Sequence, residues 1–460
     1  MEPAAVLRRG KTAAAVLCLV VGVAPIADVV SAQELPAPAR APTPRQQVGL
    51  DAGGGQTDNL GRDSSQLRSD FRFLGLNVDA GMASRRLEGR LLSDVEWRKY
   101  GAQEVVDDHE VVGSLDGNMA LHLVPQRFVW DFETNFGQLR SDPLAPSSPT
   151  NREQTAVFST GPRIYLPAGP RNLVEIEARA SERRFENSSQ LDGRFSVLRL
   201  GFSHALSHVA RLRVTVEDSQ NELDTGDEPY DFRIASVTYE RKLASGAVEL
   251  TVGRGEVRIP PNEDSTEVAQ FAWNRDVGTR SHLRVWAGHE LTDAGEIFRL
   301  AGAPADLSGD ELSGFSDIVD TNDDRLRGIV LSPSPLQRSD VGTTVEWEGH
   351  RTAVALSISG SEDDFELDPS LNNKLAAVDV YLRREFSHRW SGEIGLSRNR
   401  QDFTTRHQVN DDFRRRILIR RTFARTLQLS ISGELNGRDS EIDPYDENVY
   451  KVTIGYARSR

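Results

Sequence analysis

Sulfur chemistry is almost missing from this chain: among 460 residues there is one cysteine, Cys18. It lies inside an apolar N-terminal run, so disulfides and thiolate catalysis are excluded from everything downstream. Long hydrophobic stretches are missing too. Past residue 32 no segment approaches the roughly 20 apolar residues a helix needs to cross a bilayer, which excludes a helical membrane protein. Basic residues are outnumbered, 55 Lys and Arg against 69 Asp and Glu for a net charge of −14, and this argues against nucleic acid as a partner. Aromatic residues make up only 7%.

Catalytic signatures are lacking as well. The sequence holds no Gly-x-Ser-x-Gly elbow, no Gly-x-x-x-x-Gly-Lys-Ser/Thr loop and no His-Glu-x-x-His helix. Gly253-Arg-Gly255 lacks the third glycine of a dinucleotide fingerprint, and His204 and His208 do not share a helical face in what reads as a strand and turn. Asp320, Asn322 and Asp324 offer oxygen at alternate positions of a calcium loop. Arg325 replaces its glycine and Leu331 its bidentate glutamate, so an acidic solvated loop fits better. The expectation is a chain with no catalytic residues, no cofactor and no metal.

What is present begins with an export signal. Arg8, Arg9 and Lys11 precede the apolar run Thr12–Val23, and Val30-Ser31-Ala32 supplies small residues ahead of Gln33. Residues 1–32 read as a cleaved signal peptide, and 33–46, with Pro36, Pro38, Pro42 and Pro44, as an extended periplasmic tether.

From residue 47 to 460 the dominant pattern has period two. Phe128, Trp130, Phe132 and Phe136 alternate with Asp131, Glu133 and Asn135; Tyr450, Val452, Ile454 and Tyr456 alternate with Lys451 and Thr453. Such segments are strands with one dry and one wet face. Tight connections such as Ser84-Arg85-Arg86, Pro125-Gln126-Arg127 and Ala244-Ser245-Gly246 alternate with longer polar ones: Ser141–Glu153, Asn221–Tyr230, Leu291–Ser339, Ser361–Lys374 and Glu441–Asn448. Short and long in alternation is the connection pattern of an up-and-down transmembrane barrel. The reading is all-β: one antiparallel barrel of about 20 strands, with 18 as the alternative, ten long external loops, nine tight turns and both chain ends in the periplasm. The longest loop spans about 291–339 and could fold inward as a constriction. A soluble all-β protein shares the periodicity; the length of the hairpin series and the export signal favour the membrane. Trp97, Tyr100, Phe128, Trp130, Trp273, Trp286, Trp347, Tyr381 and Trp390 fall where interfacial girdles would place them.

In such a barrel the polar parity faces the lumen. The candidates are Asp79, Asp116, Asp131, Glu133, Glu175, Glu177, Arg179, Arg211, Arg213, Glu346, Asp379, Arg383, Glu434 and Lys451. Arg414, Arg415, Arg416, Arg420 and Arg421 form the densest basic cluster, with their facing left open by Ile417-Leu418-Ile419.

The opening of this region carries a resemblance. Val48 to Arg62, in which Gly53-Gly54-Gly55 runs into Thr57-Asp58-Asn59, followed by Asn77-Val-Asp-Ala80 and Leu87 to Trp97, resembles the β-barrel porins found with exopolysaccharide or PEP-CTERM/exosortase gene clusters, the EpsL-like group. Over residues 47–456 the resemblance implies an outer-membrane barrel in a Gram-negative cell with a role in exopolysaccharide export. Such barrels usually finish on an aromatic residue read by the outer-membrane insertion machinery. This chain ends Tyr456-Ala-Arg-Ser-Arg460, leaving Tyr456 for that role. Two functions follow: a pore or conduit passing polysaccharide or small solutes, or a non-conducting structural or adhesion barrel whose acidic external loops bind a partner. Outer-membrane lipid is the expected surrounding in both.

Overall fold

A computed structural model describes residues 45–101, 109–224, 229–302, 330–424 and 426–459. The expected signal peptide, residues 33–44 of the tether and the calcium-like Asp320–Asp324 segment lie outside the described residues. Strand β1 is Arg45–Thr57, so the last two tether positions already belong to the sheet. It is followed by β2 (Ser69–Ala83), β3 (Leu87–Tyr100), β4 (His109–Val124), β5 (Phe128–Arg140), β6 (Arg152–Pro167), β7 (Asn172–Phe185), β8 (Gly193–Ala205), β9 (Ala210–Leu223) and β10 (Tyr230–Leu243). The second half comprises β11 (Gly246–Ile259), β12 (Asn262–Val277), β13 (Ser281–Thr292), β14 (Leu336–Glu348), β15 (Thr352–Phe365), β16 (Asn373–Ser387), β17 (Trp390–Phe403), β18 (Gln408–Ala424), β19 (Leu427–Ser440) and β20 (Tyr445–Ser459). One helix, α1 (Ala294–Gly302), interrupts the series. The period-two reading gave no sign of it.

Each strand pairs antiparallel with its successor, and β1 pairs with β20 from Gln47↔Ser459 to Thr57↔Val449, closing a 20-stranded ring. Closure gives every strand two neighbours and leaves no edge strand, although β4 over residues 109–114 and β12 over residues 262–268 are paired on one side only. Contacts across the ring identify its inner parity. Lys451 of β20 reaches Glu96 of β3, with β1 and β2 between them on the wall. The alternate positions Tyr450, Val452, Ile454 and Tyr456 are exposed on the outside.

Nine connections at the end shared by the chain termini have two to four residues, as the turn residues predict. The other end departs from the expected ten long loops. Strands continue into segments read as loops, so that β6 begins at Arg152, β9 runs to Leu223 and β10 begins at Tyr230; only Pro260-Pro261 joins β11 to β12, and four residues join β17 to β18 and β19 to β20. The reason is that the inward parity near this end is apolar or packed polar, which hides the alternation of apolar and polar residues. The strands have 12 to 17 residues, more than the about 9–11 typical of a membrane-spanning strand.

The glycine-rich β1 has a packing cause. A Cβ at Gly53 would stand 2.6 Å from the ring of Phe73, and one at Gly55 2.4 Å from that of Phe71. The two rings lie inward over β1, where any larger residue would displace them. Just beyond, Thr57-Asp58-Asn59 stitches the seam between the first and last strands. Thr57 Oγ1 donates to Glu447 Oε1 (2.7 Å), the Asp58 carboxylate accepts from Asn448 N and Nδ2 (2.7 Å each), and Asn59 Nδ2 donates to Asp446 O (3.0 Å).

The aromatic expectation divides. Trp97, Trp347 and Trp390 are exposed, and Arg421 lies over the Trp390 and Phe423 rings. Tyr100 and Tyr381 are instead buried on the inner side, and Trp286 lies inward against Gly342. Each sits on the parity of the charged residues, which sequence position near a strand end does not reveal.

Candidate functional site

The loop-bearing end of the barrel is filled from within. After β13, Asp293 caps α1: its Oδ1 accepts from Gly295 N (2.7 Å) and Glu296 N (3.0 Å). Ala294, Ile297, Phe298 and Ala301 recur at helical spacing, and Glu296 and Arg299 are three apart. A helix of nine residues is marginal by itself, so its packing decides whether it forms. Ala294 and Phe298 are buried with Leu139 of β5, Val157 of β6, Phe185 of β7 and Leu191 of the turn between β7 and β8. Ile297 also meets a second cluster, in which Val330, Leu336, Phe365 and Phe403 pack with Leu144. The described parts of the longest connection therefore lie within the ring and not outside it.

Two polar clasps fix α1. Arg183 of β7 donates to Asp293 Oδ1 (3.1 Å) and to Asn221 Oδ1 (2.9 Å), while Asn221 donates to Asp293 Oδ2 (3.1 Å) and to the Tyr230 hydroxyl. At the other end of the helix Arg299 holds Glu296 through two bonds (2.8 and 2.6 Å) and reaches Glu133 of β5 (2.7 Å). Burial pushes the Glu296 carboxyl up, but the Arg299 guanidinium on both its oxygens outweighs this and holds it below its ordinary range.

The loop 141–151 crosses from β5 and β6 toward the opposite wall. The Leu144 carbonyl accepts from Gln408 (3.3 Å), Asn410 (3.3 Å) and Arg438 (2.8 Å) on β18 and β19, and the Ser147 carbonyl accepts from Arg62 (2.6 Å). At its base Glu153, fully buried, accepts from Asn187 N (2.9 Å) and the Ser188 hydroxyl (2.6 Å), tying this loop to the next. Leu144 and Ile297 join the same apolar cluster, so loop and helix together form one inward constriction.

Between this loop and the wall from β18 through β1 to β4 lies a cavity of ≈140 Å3, adjoined by one of ≈100 Å3 that shares Arg62, Gln138, Arg152 and Arg414 with it. Arg98, Arg416 and Lys451 complete the basic lining of the larger one, against Glu434 and Glu447. The cluster left open at Arg414–Arg421 resolves by parity. Arg414 pairs with Glu434 (2.9 Å) and Arg416 lines the cavity, whereas Arg421 caps exposed aromatic rings and Arg415 lies over Phe413.

None of the fourteen proposed lumen residues is exposed: Glu177 is buried and the others are half-buried. Five are drawn into one network on β5 to β7. Arg163 meets Asp131 (3.2 Å), Glu175 (3.8 Å) and Glu177 (3.8 Å); Arg179 meets Glu177 (2.5 Å) and Glu133 (3.4 Å). Arg211 and Arg213 share Glu240 (3.9 and 3.1 Å), Asp79 faces Arg90 (3.8 Å), and Arg383 faces Glu385 (3.6 Å). Asp116 lies 3.1 Å from the Asn135 amide, and Glu346 and Asp379 have polar partners of their own. Arg163, Arg183, Arg199 and Glu240 were missed, although each extends the polar parity of its own strand and could have been found by carrying that parity on. Asp293, Glu296 and Arg299 gave a different signal, a capped helix motif inside a long loop.

No protein-family model matches the chain, and no curated protein matches it. Among solved structures it is similar to the siderophore receptor PirA from Pseudomonas aeruginosa (10% identity, TM-score 0.43, covering 91% of this chain and 81% of that one). It is also similar to OpdK from Pseudomonas aeruginosa, solved with vanillate (8%, TM-score 0.36, 90% and 98%), and to the FrpB iron transporter from Neisseria meningitidis (8%, TM-score 0.44, 90% and 83%). These are likenesses of barrel architecture.

Proposed function

We propose that this chain is an outer-membrane β-barrel acting as a pore or conduit for small solutes, narrowed at its outer mouth by α1 and the 141–151 loop. One observation carries the reading: a single closed ring turns bulky aliphatic side chains outward and charged ones inward. Leu50, Val216 and Ile417 are 58%, 52% and 57% exposed, while their strand neighbours Asp51, Glu217 and Arg416 are half-buried. In water such a girdle would be a large unfavourable apolar surface; in lipid it is the solvated face. The ion-paired parity then lines a wet lumen, in which the fourteen charged candidates are wall residues. The tight-turn end is periplasmic by the usual barrel asymmetry, with residues 1–32 directing export and Tyr456 serving the insertion machinery.

Refolded mature protein in planar bilayers tests this. Single-channel steps with heat-modifiable gel migration are expected. Heat-modifiable protein that gives no steps refutes the conduit and leaves the adhesion barrel; loss of heat-modifiability refutes the membrane barrel. Exopolysaccharide as cargo rests on the resemblance over residues 47–456 alone, and liposome swelling with neutral and acidic oligosaccharides is its test.

A further inference from the structure

The basic cavity behind the 141–151 loop is not accounted for by wall-filling ion pairs. Among the described residues six cations border it, and counting Glu96 and Glu110, which pair with three of them from its edge, four carboxylates face these six. Arg416 is the residue in excess: half-buried, it lines the space opposite Glu434 of β19, whose oxygens Arg414 already holds, and it makes no ion pair of its own among the described residues. The other cations are held in place. Arg152 is fixed by Glu110 (3.0 Å), Arg62 by Glu447 (2.8 Å) and Arg414 by Glu434 (2.9 Å), so their guanidinium groups are arranged before any ligand arrives. The floor is made by Phe71, over whose ring Arg98 lies at 5.6 Å. Excess positive charge in a preorganised, partly dehydrated recess of this size fits a small oxyanion.

We propose that this cavity is a binding site for small solutes bearing a carboxylate or phosphate group, with Arg416 and Arg414 as its principal ligands. The inference deepens the conduit reading, on which it rests for the access of solute. An incoming oxyanion takes the guanidinium fork of Arg416, with Arg414, held on Glu434, beside it on β18, and is closed in by Arg152 from the loop side. The same field admits anions ahead of cations to the mouth.

The test is isothermal titration of the refolded protein in detergent, at low salt, with sodium phosphate and with sodium citrate, glucose serving as neutral control. Saturable binding is expected, weakened about tenfold or more in Arg416→Gln and restored in Arg416→Lys. Arg416 holds no other side chain in an ion pair, so the variant is expected to fold with unchanged heat-modifiable migration. Binding of phosphate alone or citrate alone supports the site and identifies the group it takes. Failure of both to bind, or equal binding by Arg416→Gln, overturns it. In bilayers the anion-to-cation permeability ratio should exceed one and fall in Arg416→Glu; binding without any conductance would refute the conduit and leave the anion site standing.

Discussion

Replacing Asp293 by alanine should release α1 from the wall without opening the barrel. The carboxylate holds three things at once: two backbone N–H groups of the helix, the Arg183 guanidinium and the Asn221 amide. Loss of a helix cap costs about 1 kcal/mol. Removing one partner of a buried ion pair costs about 3–5 kcal/mol, because the surviving charge stays buried. These terms overlap, and a combined loss of about 4 kcal/mol raises the undocked population by about a thousandfold. The ring itself keeps its 20 ladders, so heat-modifiable migration should not change. A 20-stranded ring with strands about 4.8 Å apart and tilted about 40° has a backbone radius of about 20 Å. Within a side-chain layer about 5 Å thick that leaves about 700 Å2, of which a helix about 11 Å across covers about one-eighth. Conductance should therefore rise by at least this fraction, and by more where the mouth is narrowest. A cysteine placed at Ala294, buried in the native protein, reports undocking through its reaction with a membrane-impermeant maleimide, which should accelerate by up to about a thousandfold. Unchanged labelling and conductance in a folded barrel would refute the clasp; loss of the folded band would make Asp293 a residue of the barrel fold instead.

Three further outcomes follow from the same geometry. Gly55→Val should drive a side chain into the Phe71 ring and the Tyr450 carbonyl, both 2.4 Å from the position of a Cβ, and lower the yield of heat-modifiable protein by a cost of at least about 1–3 kcal/mol; Gly54→Ala, where the nearest atom is 3.2 Å away, should be far milder. Val216→Arg on the outer face should cost about 2–4 kcal/mol in urea unfolding from vesicles, and Thr215→Arg on the inner face of the same strand clearly less. For Glu296 the folded carboxyl lies below its ordinary value of 4.5, so the stabilisation it gives α1 is complete above that value and is lost as pH falls through the lowered one. Maleimide labelling at position 294 should thus accelerate on acidification below about 4.5 in the native protein, with background corrected on a free thiol, and Glu296→Gln should abolish this pH dependence.

The ring was legible because an apolar outer face and a polar inner face impose period two on the strands. Val452-Thr453-Ile454 needs only that rule. Towards the loop-bearing end the rule lapses, and Tyr230, Phe232 and Val257, a buried inward cluster, read as the edge of a loop. Parity also found Glu133, Glu177 and Arg179, but pairing partners come from other strands and need the register. The constriction was legible only as length: a loop of 43 residues between β13 and β14 signals something, and the contacts that seat α1 lie on β5, β7 and β9, between 72 and 166 residues away in sequence. Arg415 and Arg416 show the limit most plainly: the pleat puts such neighbours on opposite faces, but with apolar residues at 417, 418 and 419 the sequence does not say which of the two faces inward, and the contacts of β18 with the ring do.

The seam between β1 and β20 carries a kinetic burden that no other pair of strands shares. Eighteen of the connections between successive strands close over at most eleven residues, but Thr57 and Glu447 stand 390 apart. Bringing such distant ends together costs about 5 kcal/mol in chain entropy before any bond forms, against about 1 kcal/mol for a hairpin turn. The first strand must therefore wait for the last to be made. Its three consecutive glycines leave it with little side-chain surface to prefer a wrong neighbour, and Asp58 and Thr57 engage only when Glu447 and Asn448 arrive. The glycine-rich strand is thus the part of the chain whose sequence is shaped by the order of assembly as well as by the finished structure.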